Sequence, residues 1–460
     1  MNVPMDTDHH PGFGLGTSEV KRRHILPKAL LVGLVAGLFA SAFRLAIGYA
    51  EAGRMAAIAR LPWWGGLLLA LGLGTAGGGL GLWLVRRFAP ETAGSGIPHI
   101  KSVMLGAPLP NWRRVLPVKF LSGLAGIGGG LVLGREGPTV QMGGATGQLV
   151  SAWFKVRPGE GERRALMSAG GGAGLAAAFN APLAGVVFVL EELQGGFTPV
   201  IFVAAFLASV TADVVGRLLA GDTPVFHLPA MAAPGLATLA PALAVGVVAG
   251  FGGVLFNRCL IGSLDAFDRM IRGRTWLPGV VAGLVAGLAG WLYPGVAGGG
   301  GALTDQALAG HVALYLLPIL IVIRFALTML SYGCGTAGGI FAPLLVIGAL
   351  AGLLIGHATH ALAAGLAPNP EVFVVFGMGA LFTAIVRAPL TGIVLMVEMT
   401  GQYGFMLPLL VSCLAAYGIA EWLGDTPIYE ALRLRADRAS GSATAVAAPT
   451  PAAAAPAEPH

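Results

Sequence analysis

Long runs without a single charged side chain dominate this sequence. With histidine counted as neutral, residues 61–85, 225–257, 276–304 and 325–370 contain no Asp, Glu, Lys or Arg. Each run meets or exceeds the roughly 20 apolar residues that cross a bilayer as helix. The last is too long for one crossing. At about 1.5 Å of rise per residue it would measure roughly 70 Å as a single helix, so the pattern predicts at least two segments. Gly338, Gly339 and Pro343 mark the expected break. The predicted elements are therefore membrane-spanning helices, some interrupted by glycine and proline, and the predicted class is an all-α polytopic membrane protein.

Composition agrees with that pattern and excludes a water-soluble domain. The 460 residues are 55% hydrophobic and 11% charged, with a mean hydropathy of +0.78. The net charge of +6 comes partly from basic groups that flank the apolar body, Lys21, Arg22, Arg23 and Lys28 before it and Arg433, Arg435 and Arg438 after it. Such flanks predict both termini on the cytoplasmic side and contact with anionic lipid; they give no reason to invoke nucleic acid. Residues 1–28 hold Asp6, Asp8, His9, His10, Pro11 and Glu19 and lack the apolar core of a signal peptide, so the first membrane segment is expected to direct insertion. The expected organisation is a cytoplasmic segment over 1–28, a membrane domain over 29–435 and a disordered Ala/Ser/Thr/Pro-rich tail over 436–460, with no regulatory domain appended. Cys259, Cys334 and Cys413 are widely spaced, suggest no metal site and read as small buried side chains.

The membrane domain divides into two similar halves, roughly 29–220 and 232–435. Asn180-Ala181-Pro182-Leu183-Ala184-Gly185 and the apolar run to Glu191 are echoed by Arg387-Ala388-Pro389-Leu390-Thr391-Gly392 and the run to Glu398. Upstream of each copy, at nearly equal separation, lies a Gly-x-x-x-Pro break, Gly134 to Pro138 and Gly339 to Pro343. Paired interrupted segments in two repeats point to a site near the bilayer midplane, where helix starts direct unpaired N–H groups and positive dipole ends at an anion. The sequence leaves open whether the repeats are parallel or inverted. A third break, Gly94-Ser95-Gly96-Ile97-Pro98, adds a hydroxyl ahead of a proline-initiated helix. Glu136 stands within the first Gly-Pro break, and an intramembrane carboxylate at such a place reads as a group that handles protons and anions.

Three of these motifs, in this order, are Gly94-Ser95-Gly96-Ile97-Pro98, Gly134-Arg135-Glu136-Gly137-Pro138 and Gly339-Ile340-Phe341-Ala342-Pro343; Tyr429 follows in Thr426-Pro427-Ile428-Tyr429. With them the chain resembles the CLC family of chloride channels and chloride/proton antiporters over nearly its whole length, in the bacterial form without cytoplasmic CBS domains. The resemblance implies a CLC-type inverted repeat of many tilted and broken transmembrane helices. It also implies a homodimer with one pathway per subunit, in the inner (cytoplasmic) membrane. Carried over by motif, Ser95 and Tyr429 would offer hydroxyls, and Ile340 and Phe341 backbone amides, to a bound chloride. Partial charges of this kind offset dehydration without trapping the ion. Lys119 and Arg135 would add longer-range positive potential; their plainer alternative is pairing with a buried carboxylate.

Glu136 matches the family's gating glutamate, whose carboxylate competes with the anion and swings away on protonation. Glu192, in Leu190-Glu191-Glu192-Leu193, falls where proton-exchanging members carry an internal glutamate. Glu191 aligns with Glu398 of the second repeat and reads as an anchor, whereas Glu192 faces Met399 in the alignment and has no symmetric counterpart. The expected function is electrogenic exchange of chloride for protons, with chloride as the bound substrate and no cofactor; the alternative is a passive chloride channel. Serine rather than proline at position 95 goes with chloride over nitrate in the family. One segment departs from the family pattern: Cys334-Gly335-Thr336-Ala337-Gly338 stands where relatives commonly carry serine and proline. Two readings from other classes are weaker. Ser95 with His99 as base could form a hydrolase pair, but no motif supplies an orienting third group. The glycine-spaced stretches 74–81 and 170–174 fit close helix packing better than nucleotide loops.

Overall fold

The computed structural model describes residues 22–157, 161–222, 225–226, 234–270 and 276–439. Seventeen α-helices run through these residues. The first half contains α1 (Arg22–Ala59), α2 (Trp63–Phe88), α3 (Ile97–Met104), α4 (Trp112–Gly129), α5 (Glu136–Trp153), α6 (Gly161–Phe179), α7 (Pro182–Phe188) and α8 (Pro199–Ala220). The second contains α9 (Leu239–Met270), α10 (Leu277–Leu292), α11 (Gly301–Leu308), α12 (Leu317–Gly333), α13 (Phe341–Leu362), α14 (Val372–Val386), α15 (Pro389–Thr400) and α16 (Met406–Trp422). Helix α17 (Ile428–Ala439) follows both. Among the described residues, seven helical stretches are long and apolar enough to cross a membrane; the others are shorter, less apolar or broken by glycine and proline.

The halves repeat each other's packing. Helix α1 packs on α6 and α8 as α9 packs on α14 and α16, and the α5–α6 and α13–α14 pairs form the two inner layers. Asn180 and Arg387, equivalent residues just before Pro182 and Pro389, both take left-handed backbone, with φ of 52° and 67°. The repeat is inverted, and two reciprocal contacts establish it. Glu191, in the π-helical turn that ends α7, accepts from the amides of Leu390 and Thr391 at the start of α15 (3.1 and 2.7 Å). Glu398, near the end of α15, accepts from Leu183 and Ala184 at the start of α7 (3.0 and 2.7 Å). Each carboxylate satisfies orphan amides and meets the positive end of the other helix. Two equivalent helices that cap each other's starts must run antiparallel.

Glycine sets the closest helix contacts, as the spacing of 74–81 and 170–174 predicted. A Cβ on Gly143 of α5 would strike the Gly170 carbonyl of α6, and one on the equivalent Gly348 of α13 would strike the Gly377 carbonyl of α14. Gly74 and Gly78 of α2 seat likewise against Gly283 and Gly279 of α10. The small residues let backbones approach and gain dispersion contact where lipid supplies no hydrophobic drive. Cys334 and Cys413 are buried and Cys259 is half-buried, all three as free thiols. The termini differ in detail from the sequence-based boundaries. Helix α1 already begins at Arg22, so Lys28 lies inside it, and α17 carries helix through Ala439; residues 1–21 and 440–460 lie outside the described residues.

Gly74→Ala is expected to lower stability by about 1–3 kcal/mol through overpacking against α10. Gly72→Ala in the same helix, with open space around its Cβ position, should be neutral or gain up to about 1 kcal/mol. Thermal denaturation in detergent compares the two.

Candidate ion-binding site

The three broken segments meet at the centre of the protein and are stitched by their backbones. Gly134 and Gly339, equivalent residues of the two repeats, exchange both hydrogen bonds at 2.7 Å. Gly94 donates to the Thr336 carbonyl (3.2 Å) and accepts from the Gly338 amide (3.0 Å). Buried backbone that leaves a helix needs partners, and here each break supplies them to another. As a result the starts of α3, α5 and α13 are drawn together.

Ser95 precedes α3 and is 1% exposed. Its amide points to the hydroxyl of Tyr332 (3.4 Å), and its own oxygen lies 3.5 Å from the Ile97 amide. Ser95 rests on Gly137, where a Cβ would come within 2.9 Å of the Ser95 carbonyl; only glycine permits this approach. Tyr429, in the first turn of α17, reaches the same place because α17 packs on α3. Its hydroxyl is buried and approaches Ser95, yet forms no hydrogen bond of ordinary geometry with any described residue. Ile340 and Phe341 begin α13, whose first amides have no carbonyl partner within the helix. The Phe341 ring is fixed by Phe179, Phe188 and Phe382, with centroids 5.8, 6.4 and 4.7 Å away.

Glu136 is the first residue of α5 and is 2% exposed. Its Oε2 accepts from the Ala342 amide at 3.4 Å, so the carboxylate occupies the positive end of α13. Arg135 stands 3.8 Å from Oε1, a loose ion pair; its guanidinium donates to the Ala178 carbonyl at 3.4 Å. A cavity of about 310 Å³, lined by Arg44, Glu51, Arg135, Glu136 and Asp305 among others, opens on this side. A second cavity of about 540 Å³ reaches Gly94, Gly96, His99 and Tyr332 on the Ser95 side. Ser95 and the start of α13 thus lie between two cavities, with Glu136 on the wall of one.

The charged groups are placed by specific partners. Lys119 is fully buried and donates to the carbonyls of Thr92 (2.9 Å) and Gly94 (2.7 Å), holding the segment that carries Ser95; those carbonyls, and no carboxylate, are its hydrogen-bond partners. Glu192 is buried in the π-helical turn after α7 and takes a 2.8 Å ion pair from Lys101 of α3. His99 faces Gln141 at 3.2 Å rather than Ser95, so the serine–histidine pair of the hydrolase reading is not formed.

Comparison with known proteins shows the family. The sequence model of the voltage gated chloride channel family matches residues 77–421. The chain belongs to this family, the CLC family. The H(+)/Cl(-) exchange transporter ClcA of Vibrio parahaemolyticus is 40% identical over 418 residues, 89% of each protein. That of Vibrio cholerae is 42% identical over the same length, 89% of this chain and 88% of the relative. Among solved structures, a slow cyanobacterial Cl-/H+ antiporter superposes with a TM-score of 0.85 at 36% identity, covering 91% of this chain and 98% of that one. A eukaryotic CLC transporter gives 0.76 at 25% identity, covering 90% and 74%.

Two residues beside this candidate site were not singled out from the sequence. Tyr332 is a lone tyrosine in an apolar helix, and nothing local marks it as the partner of Ser95. Lys101, the one lysine in Ile97–Met104, is a weak signal that became readable only once its contact with Glu192 was known. The departure at Cys334–Gly338 keeps its backbone role: the Thr336 carbonyl and the Gly338 amide make the bonds to Gly94, and Ala337 needs no proline to hold the turn.

Lys119→Met is expected to destabilise the fold by about 1–3 kcal/mol, because the Thr92 carbonyl is left without a donor while that of Gly94 keeps the Gly338 amide. An exposed control, Arg87→Met, should leave the melting temperature unchanged within about a degree. Thermal unfolding of the purified protein in detergent measures both.

Proposed function

We propose that this protein is a chloride/proton antiporter of the inner membrane, a homodimer with a separate pathway in each subunit and both termini in the cytoplasm. One observation carries the reading: the Glu136 carboxylate sits at the start of α13, on the Ala342 amide, where an anion would be held, near the buried Tyr429 hydroxyl that approaches Ser95. The names of the similar proteins support it, as exchange of these two ions is what they are named for. The basic flanks Lys28 and Arg433, Arg435 and Arg438 support the orientation. The complete set of site residues within one chain supports one pathway per subunit.

In this mechanism chloride is held by the hydroxyls of Ser95 and Tyr429 and the amides of Ile340 and Phe341. No full positive charge touches it. A lysine there would bind too tightly for turnover, while oriented dipoles compensate lost hydration and still release the ion. Lys119 and Arg135 add positive potential from a distance. Glu136 and chloride compete for overlapping positions, since two negative groups at one helix start repel. When Glu136 takes up a proton its charge disappears, its hold on the α13 amides weakens and an anion takes its place. When chloride leaves, the carboxylate returns and its proton departs through the cavity lined by Arg44 and Arg135.

Protons from the other side need a separate acceptor, and Glu192 provides one. It is buried near Tyr429 but outside the anion line, and Lys101 holds it in position. Movement of an anion one way and a proton the other transfers charge in one direction, so each charge moved costs or yields about 2.3 kcal/mol per 100 mV.

Proteoliposome flux tests the reading. A chloride gradient should drive protons uphill in the wild type. Glu192→Gln should abolish proton movement while chloride still flows, and Glu136→Ala should leave an uncoupled chloride leak that no longer responds to pH. Wild-type chloride flux with no proton counterflow would instead identify a passive channel.

A further inference from the structure

A further cavity lies away from the candidate ion-binding site. It is about 370 Å³ in volume and sits where α1 turns into α2, against the end of α10. The turn spans only Arg60, Leu61 and Pro62, so the cavity marks the level at which two helices of the apolar body leave the bilayer. Trp63 and Trp64, 71% and 57% exposed, stand at the same turn, and Trp291 near the end of α10 lines the cavity. Tryptophans at helix ends are the usual mark of the lipid headgroup level.

The polar content of this cavity is a guanidinium. Arg54 is only 8% exposed, and its Nε has no hydrogen-bond partner among the described residues. Glu51, one turn earlier on α1, points its carboxylate to the Gly299 amide at 3.4 Å instead. Glycines place these donors, Nη1 of Arg54 lying between Gly130, whose Cβ would come within 2.8 Å of it, and the lining Gly290. A Cβ on Gly290 would lie 3.4 Å from Nη1 of Arg54, and one on Gly66 would lie 3.5 Å from Nε1 of Trp291. Glu51 compensates part of the Arg54 charge from nearby, but among the described residues nothing hydrogen-bonds its Nε, and a buried donor left so is costly. Its planar donors match phosphate oxygens, and the indole N–H adds another donor. The remaining wall is apolar, with Met55, Ile58 and Leu61 facing it.

We propose that this cavity binds the phosphate of a phospholipid headgroup, with Arg54 and Trp291 holding the phosphate oxygens and the apolar wall receiving the glycerol and the first carbons of a chain. Free phosphate shares the charge but not the apolar portion, so the two sources can be distinguished. The site is formed by α1, α2 and α10 and uses none of the residues that bind chloride or protons.

Native mass spectrometry of the full-length protein in detergent tests this. Added palmitoyl-oleoyl phosphatidylglycerol should remain bound to the wild type, whereas diacylglycerol with the same chains should not. Arg54→Gln should weaken retention on the order of tenfold, the loss expected for a charge-assisted hydrogen bond. Trp291→Phe keeps the ring but removes the donor, and should weaken it by a smaller factor; it decides the matter should Arg54→Gln fail to fold. Equal retention by wild type and a folded variant overturns the proposal. Displacement of the lipid by inorganic phosphate at similar concentration also overturns it, by assigning the cavity to the free ion.

Discussion

The arrangement depends on one exchange of hydrogen bonds, between Gly134 and Gly339. A helix that stops inside a membrane leaves amides and carbonyls that no water can satisfy, and each unsatisfied group costs several kcal/mol. The inverted repeat answers this by placing equivalent breaks against each other, so that each satisfies the other across the axis that relates the halves. Gly94 joins the same junction through Thr336 and Gly338. Once the breaks are pinned, the starts of α3, α5 and α13 have nowhere to point except inward. The candidate site is a by-product of solving a backbone problem.

The surrounding charges are engaged in that same problem. Lys119 is committed to the carbonyls of Thr92 and Gly94, and Arg324 is fully buried on those of Val296, Gly298 and Gly299. Both stabilise irregular backbone near the pathway without standing in it. Glu191 and Glu398 play the complementary part, capping the starts of α15 and α7. What remains at the centre is a set of dipoles and one carboxylate that can lose its charge. In the proposed mechanism that difference between fixed charges and a movable one allows an ion to bind and still leave.

Much of this was legible in the sequence because its causes are local. Glycine and proline must appear where a helix breaks, so the positions of all three breaks were readable, and so was the equivalence of the halves through Asn180-Ala181-Pro182 and Arg387-Ala388-Pro389. Ser95 and Glu136 stood out at those breaks as a hydroxyl and an intramembrane carboxylate, the family resemblance then supplied Tyr429 with Ile340 and Phe341, and the structure brings these together at the start of α13. Contacts across long separations were not legible. Tyr332 meets Ser95 and Lys101 meets Glu192 through the packing of distant helices, and neither side chain carries a local pattern. Helix ends were also misjudged, as Lys28 and Ala436 belong to helices whose amphipathic or charged ends look like flanking segments.

The central claim is that the Glu136 side chain and an anion compete for the start of α13. Anomalous diffraction from crystals soaked in bromide, wild type beside Glu136→Gln, addresses it most directly. The account predicts density near Ser95 and Tyr429 in both proteins, and a further peak by the Ala342 amide only where the carboxylate has been neutralised. A bromide at that amide in the wild type with Glu136 still bound there, or no bromide near Ser95 and Tyr429 in either crystal, would contradict it.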